Sequence, residues 1–204
     1  MTGLVRRLVS VAPGSRFEGT AASGGELWFV IAGSGRLDAG GLRRAAVGPE
    51  AGVWVPPGSG YRLDADRDVL LDAVALPGEG RAPEAVAVPR VSQLRDCEVE
   101  RTGDRRFRVL LGPGRGCEAA TQFVGEIPPG RAPEHSHPYD EMVLVLEGEG
   151  VAHVRGGDGD RALAPGTRLH LPPGRPHCLE NTGTGTLVVL GVFHPGGSPA
   201  QKRG

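Results

Sequence analysis

GRAPEHSHPYDEMVLVLEGEG, residues 130–150, contains the pattern that decides the fold. His135 and His137 stand one residue apart, and Glu141 follows four positions later. Side chains at positions i and i+2 of a strand point to the same face, so both imidazoles are expected to enter one cavity. Glu141 shares their parity and precedes the apolar run Met142–Leu146, which is typical of a strand in a barrel wall.

A second stretch, residues 166–181, supplies a third histidine. His177 follows the turn residues Pro172, Pro173 and Gly174, so it can close the same site from another strand. Three imidazoles and one carboxylate suit a divalent transition metal. The sequence therefore predicts one such ion in the second half of the chain, with Fe, Mn or Ni preferred and Zn, Co or Cu as alternatives. The four predicted ligands are His135, His137, Glu141 and His177.

The same landmarks occur earlier in the chain, which indicates an internal duplication. Repeats of this length are duplicated domains rather than solenoid units. Gly and Pro punctuate short apolar runs throughout, which predicts the strands of a barrel or sandwich. The landmarks that keep a constant offset of 115 residues are Glu26 and Glu141, Gly33 and Gly148, and Gly35 and Gly150.

Both stretches resemble the two motifs of the cupin superfamily, whose fold is a small jelly-roll-like β-barrel. The family's motifs read G-x5-H-x-H-x3,4-E-x6-G and G-x5-P-x-G-x2-H-x3-N. The second motif matches at every fixed position from Gly166 to Asn181, and the first matches from His135 to Gly148. The first motif departs only at its start, where four residues separate Gly130 from His135. The resemblance implies the four metal ligands named above.

The resemblance covers the whole chain as a bicupin, so we expect an all-β protein with two tandem jelly-roll-like cupin barrels. The predicted boundaries are 1–80 for the N-terminal cupin, 81–92 for a linker rich in Pro, Gly and Ala, and 93–204 for the C-terminal cupin.

The first copy lacks most of the ligands. Thr20 and Ala22 stand where the histidine pair is expected, Tyr61 replaces the last histidine, and Ala65 replaces the asparagine. Glu26 alone keeps its position. A carboxylate and a phenol hold a transition metal poorly, so the first domain is predicted to be metal-free.

The composition argues against several classes of partner. The net charge is -1 with both signs interspersed, and no basic stripe indicates nucleic acid. The sequence contains no run of about 18 apolar residues, so it predicts no membrane span. Three widely spaced cysteines do not form a disulfide framework, which favours a reducing, cytoplasmic setting. Arginine far outnumbers lysine, since Lys202 is the only lysine, and this is typical of a GC-rich bacterial genome.

The predicted site points to a small oxygenated organic anion as ligand. A divalent ion with three neutral histidines and one glutamate carries a net charge of about +1 and keeps open coordination positions. We expect a metal-dependent enzyme, with dioxygenase chemistry narrowly preferred. The alternatives are an isomerase, cyclase or lyase that uses the metal as a Lewis acid, and a bicupin that only binds a small molecule or serves as a structural or storage protein.

Tyr139 and His170 are the candidate catalytic residues. Tyr139 lies between ligands in the sequence, and we expect it near the cavity. His170 lies in the predicted strand Arg168–Leu171, where parity leaves both an inward and an outward side chain open. Besides a small-molecule ligand, the expected partner is a second copy of the chain, paired through strand edges.

Overall fold

The computed structural model describes residues 3–78, 88–156 and 159–200. Over these residues the regular structure is all β apart from one short 3-10 turn, Leu94–Asp96. The prediction of an all-β jelly-roll fold is therefore confirmed. Among the described residues, no helix has the length and apolar character needed to cross a membrane.

The chain divides into two compact units. Unit 1 comprises residues 1–97 and 110–120, and unit 2 comprises residues 98–109 and 121–204. Residues 81–87 of the predicted linker lie outside the described residues. The end of that linker is part of the strand Arg90–Gln93, which pairs with a strand of unit 1.

Unit 1 is built from two antiparallel sheets. One sheet has the order β1-β8-β3-β6-β9 and the other the order β2-β7-β4-β5. Its core contains large side chains from both sheets, including Trp28, Leu37, Leu63 and Leu71. The strands are β1 (Val5–Val11), β2 (Arg16–Thr20), β3 (Glu26–Ala32), β4 (Gly35–Ala39), β5 (Leu42–Val47), β6 (Ala51–Val55), β7 (Gly60–Ala65), β8 (Val69–Ala75) and β9 (Arg90–Gln93).

The strands that follow form a second pair of sheets. One sheet has the order β10-β11-β12-β19-β14-β17 and the other the order β13-β18-β15-β16. These strands are β10 (Glu100–Thr102), β11 (Arg105–Leu111), β12 (Thr121–Ile127), β13 (Gly130–Arg131), β14 (Asp140–Glu147), β15 (Gly150–Val154), β16 (Arg161–Leu163), β17 (Arg168–Leu171), β18 (His177–Asn181) and β19 (Leu187–His194).

The core of unit 2 joins its two sheets face to face. Val143, Val145 and Leu171 come from the larger sheet, while Leu163 and Leu179 come from the smaller one. Buried apolar side chains alternate with more exposed ones along the edge strand β17, as expected for a sheet with one buried face. This packing holds the two faces of the sandwich together around the end that carries the histidines.

The repeated glycines mark the same backbone feature in both units. β3 has a register shift between Val30 and Ala32, and β14 has one between Val145 and Glu147. Each shift is followed by a glycine with positive φ, 83° at Gly33 and 84° at Gly148. A Cβ at Gly33 would lie 1.9 Å from a backbone oxygen, and one at Gly148 would lie 2.7 Å from another. Only glycine fits both the φ angle and the close approach.

A buried ion pair joins two neighbouring strands of the main sheet in unit 1. The Nε atom of Arg6 on β1 lies 3.1 Å from a carboxylate oxygen of Asp72 on β8. The two side chains are 4% and 0% exposed. Removing one partner of such a pair leaves an uncompensated charge in the protein interior, which is strongly destabilising.

Replacing Asp72 with Asn should therefore lower the free energy of unfolding by about 3–5 kcal/mol. Urea denaturation followed by tryptophan fluorescence measures the change, since both tryptophans, Trp28 and Trp54, lie in unit 1. Asp64→Asn is the control, because its partner Arg16 is half exposed and such pairs contribute little. Equal shifts of the midpoint in both variants would contradict this account of the buried pair.

Candidate metal centre

Backbone hydrogen bonds bring the two motifs together at one end of unit 2. His135 and His177 form a β-bridge, with the His135 amide donating to the His177 carbonyl at 3.0 Å and the reverse bond at 2.9 Å. The Gly174 amide donates to the His137 carbonyl at 2.8 Å. These bonds tie the Pro-Pro-Gly turn to the histidine pair, so the side chains of the two motifs face the same cavity.

Three of the four predicted ligands form a tight, buried group. His137, Glu141 and His177 each offer one donor atom, and these atoms lie within 4.8 Å of one another. His137 Nε2 is 2.6 Å from Glu141 Oε2, and His177 Nε2 is 3.9 Å from the same oxygen. Two imidazole nitrogens and a carboxylate at this spacing are a donor set that fits a divalent transition metal.

His135 lies beside this group rather than within it. Its ring centroid is 4.7 Å from that of His177 and 6.2 Å from that of His137. The His135 side chain is partly exposed and lines the same cavity. Its role as a fourth ligand stays a prediction.

Backbone carbonyls orient all three imidazoles in the same way. A carbonyl oxygen only accepts hydrogen bonds, so each Nδ1 atom is the donor and each Nε2 atom is directed to the other side of its ring. This is the tautomer in which Nε2 serves as a metal ligand. The Nδ1 contacts are His135 to Pro133 at 3.2 Å, His137 to Tyr139 at 3.1 Å, and His177 to Arg175 at 2.8 Å.

The contact between His137 and Glu141 lies where an ion would bind. Nδ1 of His137 contacts the Tyr139 carbonyl and Nε2 lies 2.6 Å from Glu141 Oε2, so a proton shared between Nε2 and the carboxylate would compete with an ion for this position. Burial lowers the pKa of His137, but the hydrogen bond and charge of Glu141 outweigh it and raise the pKa overall. Burial lowers the pKa of His177, which favours its neutral form.

The cavity beside these residues has a volume of about 80 Å³. This is far below the roughly 300–1,000 Å³ of pockets that bind drug-sized molecules, so a ligand of only a few carbon atoms fits. About half of the lining side chains are apolar, and Arg105, Arg106, Glu126 and Glu141 are charged members of the wall. The apolar lining comprises Phe107, Phe123, Ile127, Val143, Leu171, Leu179, Val189, Phe193 and Pro199.

Tyr139 lines the cavity but its hydroxyl is engaged elsewhere. Its ring stacks on His137 with centroids 4.4 Å apart, and its hydroxyl donates to the Ser198 carbonyl at 2.9 Å. Burial raises the pKa of Tyr139 well above its usual range, so the phenol stays neutral. Tyr139 therefore positions His137, and its oxygen is held by the C-terminal segment.

His170 lies outside the cavity. Its neighbours Leu169 and Leu171 point into the core, so the His170 side chain points outward and is 52% exposed. Its Nε2 atom lies 2.6 Å from an oxygen of Asp140. The structure thus places this catalytic candidate on the surface, away from the three clustered ligands.

The sequence did not identify the C-terminal segment as part of the site. Gly197 accepts a hydrogen bond from the Thr121 hydroxyl at 2.8 Å and donates one back at 3.0 Å. A Cβ at Gly197 would lie 2.7 Å from the Tyr139 ring, so the close approach requires glycine. No metal-ligand motif extends this far, and only the Pro-Gly-Gly run at residues 195–197 indicated a bend there.

In unit 1, the glutamate that aligns with Glu141 in the sequence pairs with an arginine. Arg7 Nη2 donates to Glu26 at 2.8 Å and to the Tyr61 hydroxyl at 3.2 Å. Trp28 Nε1 donates to the same Glu26 oxygen at 2.8 Å. Glu26 aligns with Glu141 and Tyr61 aligns with His177, so this carboxylate already has a cationic partner. That the first domain binds no metal stays a prediction.

Comparison with known proteins agrees with the predicted cupin fold. Residues 123–193 match the model of the cupin domain family. A point mutant of oxalate decarboxylase from Bacillus subtilis has a TM-score of 0.78 at 17% identity, covering 96% of this chain and 70% of that chain. A cupin 2 conserved barrel domain protein from Leptotrichia buccalis has a TM-score of 0.64 at 16% identity, covering 95% and 85%.

A further matched structure concerns the Mn(II) centres of the same decarboxylase, with a TM-score of 0.77, 17% identity and coverage of 96% and 70%. No curated protein sequence matches the chain significantly. At these identities the likeness establishes the fold and leaves the reaction open.

Metal affinity should fall with decreasing pH, because an ion must displace the proton between His137 and Glu141. Below the raised pKa of His137, the affinity for Mn²⁺ should drop about tenfold per pH unit, with one proton released per ion. Calorimetric titration in buffers of different ionisation enthalpy counts the protons. His170→Gln is the control, since this exposed histidine should not alter the count. Mn²⁺ binding that releases no proton and keeps the same affinity as the pH falls would contradict the competition between ion and proton at His137 and Glu141.

Proposed function

We propose that unit 2 is a metal-dependent cupin enzyme that acts on a small oxygenated organic anion, with dioxygenase chemistry preferred. The observation that carries the proposal is the buried group of His137, Glu141 and His177 at the wall of a small apolar cavity. A structural role alone would not require three ionisable side chains to be buried together, because desolvating them is costly.

The residues that would hold the ion are His137, Glu141 and His177, with His135 as the fourth ligand. Mn has a precedent in the decarboxylase of similar fold, whose Mn(II) centres are described. When bound, a divalent ion would supply Lewis acidity toward the substrate oxygens, and Fe or Mn would add redox chemistry. The charge balance of the site, about +1, favours an anionic ligand.

The protein contributes orientation and a dry environment. The carbonyls of Pro133, Tyr139 and Arg175 fix the three imidazole rings, and Tyr139 packs flat against His137. Phenylalanine and aliphatic side chains exclude water from the cavity, which strengthens every electrostatic contact inside it. Preorganised ligands in such a cavity need little rearrangement when the substrate binds.

The preference for an oxidative reaction rests on the acid and base groups of the cavity wall. Isomerisation and lyase reactions need a positioned base with a suitable pKa. Among the described lining residues, Glu141 and the three histidines are predicted ligands, and Glu126 is bound by Arg106 and Arg108. The neutral Tyr139 phenol donates to Ser198. A dioxygenase adds both atoms of O₂ to the substrate, so it needs neither an external reductant nor such a base.

We also propose that the chain is a bicupin in which unit 1 has lost its metal. The shared register shift before Gly33 and Gly148 supports a duplicated fold. In unit 1, Arg7 compensates the charge of Glu26, so the ligand set is replaced by an internal ion pair. Unit 1 then has a structural role.

Metal content provides the first test, with a matched pair of variants. Protein purified without chelators should contain about one ion per chain by elemental analysis. Glu141→Gln should lose nearly all of it, whereas Glu26→Gln, the equivalent change in unit 1, should retain it. Two ions per chain, or full metal content in Glu141→Gln, would contradict the assignment.

Oxygen uptake tests the reaction. The Fe(II)-loaded protein should consume O₂ with at least one of three small probes, namely catechol, pyruvate or acetoin, and ¹⁸O₂ should label the product with two atoms. His137→Ala should lower the rate about 100-fold or more, because it removes a ligand. Product formation without O₂ uptake would instead indicate isomerase, cyclase or lyase chemistry, and binding without turnover would indicate a carrier or sensor.

A further inference from the structure

Arg105 is a cation in the cavity wall that has no counter-charge in hydrogen-bond reach within the described part of the chain. It is the first residue of β11 and lines the same cavity as His137, Glu141 and His177. Its Nη2 atom is buried and has no hydrogen-bond partner among the described residues. The guanidinium is thus partly desolvated without a carboxylate partner among the described residues, and an anion bound in the cavity that Arg105 lines would compensate its charge.

Unlike Arg105, the neighbouring arginines Arg106 and Arg108 have a carboxylate partner. Arg106 and Arg108 both contact Glu126, with nitrogen–oxygen distances of 2.7 Å and 2.8 Å. Glu126 and Glu141 are the carboxylates that line the cavity, and Glu141 is bonded to His137. Both carboxylates are therefore already engaged, and neither is a hydrogen-bond partner of Arg105 in the described structure.

Burial lowers the pKa of Arg105, and the charge of the neighbouring Asp104 offsets this only in part. Arginine remains protonated even with such a shift, so the charge stays in the wall.

We propose that Arg105 binds the carboxylate of the substrate, so that the site selects small carboxylates that carry a second oxygen donor. The inference rests on the proposed function and deepens it by naming the substrate class. The fork of the guanidinium matches a carboxylate, and a charge-assisted pair in an apolar cavity is strong and directional.

The size and lining of the cavity limit the rest of the ligand. A cavity of about 80 Å³ has room for only a few carbon atoms between Arg105 and the predicted metal ligands. The apolar walls offer little to hydroxyl-rich sugars, whose polar groups would lose water without gaining partners. A 2-oxo or 2-hydroxy acid, with one carboxylate and one further oxygen, has the required chemistry.

The test compares a carboxylate with its neutral amide. Calorimetry on the Mn²⁺-loaded protein measures the affinity for pyruvate, lactate and oxalate, and for pyruvamide, which lacks the charge. Arg105→Gln should weaken the binding of the carboxylates by about 10- to 100-fold and leave pyruvamide unchanged, since a hydrogen bond to a charged group is lost. Arg105→Lys should give an intermediate loss, because it keeps the charge without the fork.

Arg101→Gln is the matched control, because it removes one positive charge from an exposed position on the adjacent strand β10. It should bind the carboxylates as the parent does. Equal affinities in Arg105→Gln and the parent would overturn the proposal. So would equal losses for pyruvate and pyruvamide, or a parent protein that binds none of the three carboxylates.

Metal content is measured first in every variant. A parent protein without metal contradicts the proposed function, whereas a loaded parent that ignores the Arg105 change contradicts only the present inference. The same titrations on metal-free protein, followed by thermal shift, still test Arg105, because its charge does not depend on the ion. If carboxylates no longer raise the melting temperature of Arg105→Gln, the result supports carboxylate binding by Arg105. An unchanged rise in melting temperature overturns the proposal.

Discussion

The β-bridge between His135 and His177 is the contact on which the site depends. Two backbone hydrogen bonds hold these residues opposite each other, and a third, from Gly174 to His137, fixes the turn that leads into the bridge. Because strand parity then decides where each side chain points, the imidazoles must share one cavity with Glu141. Each histidine also gives its Nδ1 proton to a carbonyl two residues away, so the backbone that brings the rings together also sets their tautomers.

The two units stabilise a buried glutamate in different ways. Both bury a glutamate on the strand that contains the register shift, and an isolated buried carboxylate is unfavourable. In unit 1 a guanidinium and an indole satisfy Glu26 permanently. In unit 2 Glu141 contacts His137 Nε2 at 2.6 Å, and a proton at this contact is exchangeable for a metal ion, whereas an arginine side chain is not. The proposed loss of metal binding in unit 1 and its proposed retention in unit 2 rest on this difference.

Much of the fold could be predicted from the sequence, because turn glycines and ligand spacing are local signals. The landmarks around Glu141 and Gly148 indicated the strands. The direction of His170 stayed open until the burial of Leu169 and Leu171 showed which face of β17 packs on the core. Arg105 could not be found in this way, since it lies outside both motifs and reaches the cavity only through the sheet register. Arg7 was missed for the same reason, because its contact with Glu26 joins residues on different strands.

The most direct test of the central claim is an anomalous difference map from crystals of the full chain soaked in Mn²⁺. We expect a strong peak bonded to Nε2 of His135, His137 and His177 and to the Glu141 carboxylate, and no peak beside Glu26. A map without density at these four residues, or with the ion bound elsewhere, would contradict the assignment of this cavity as a metal centre.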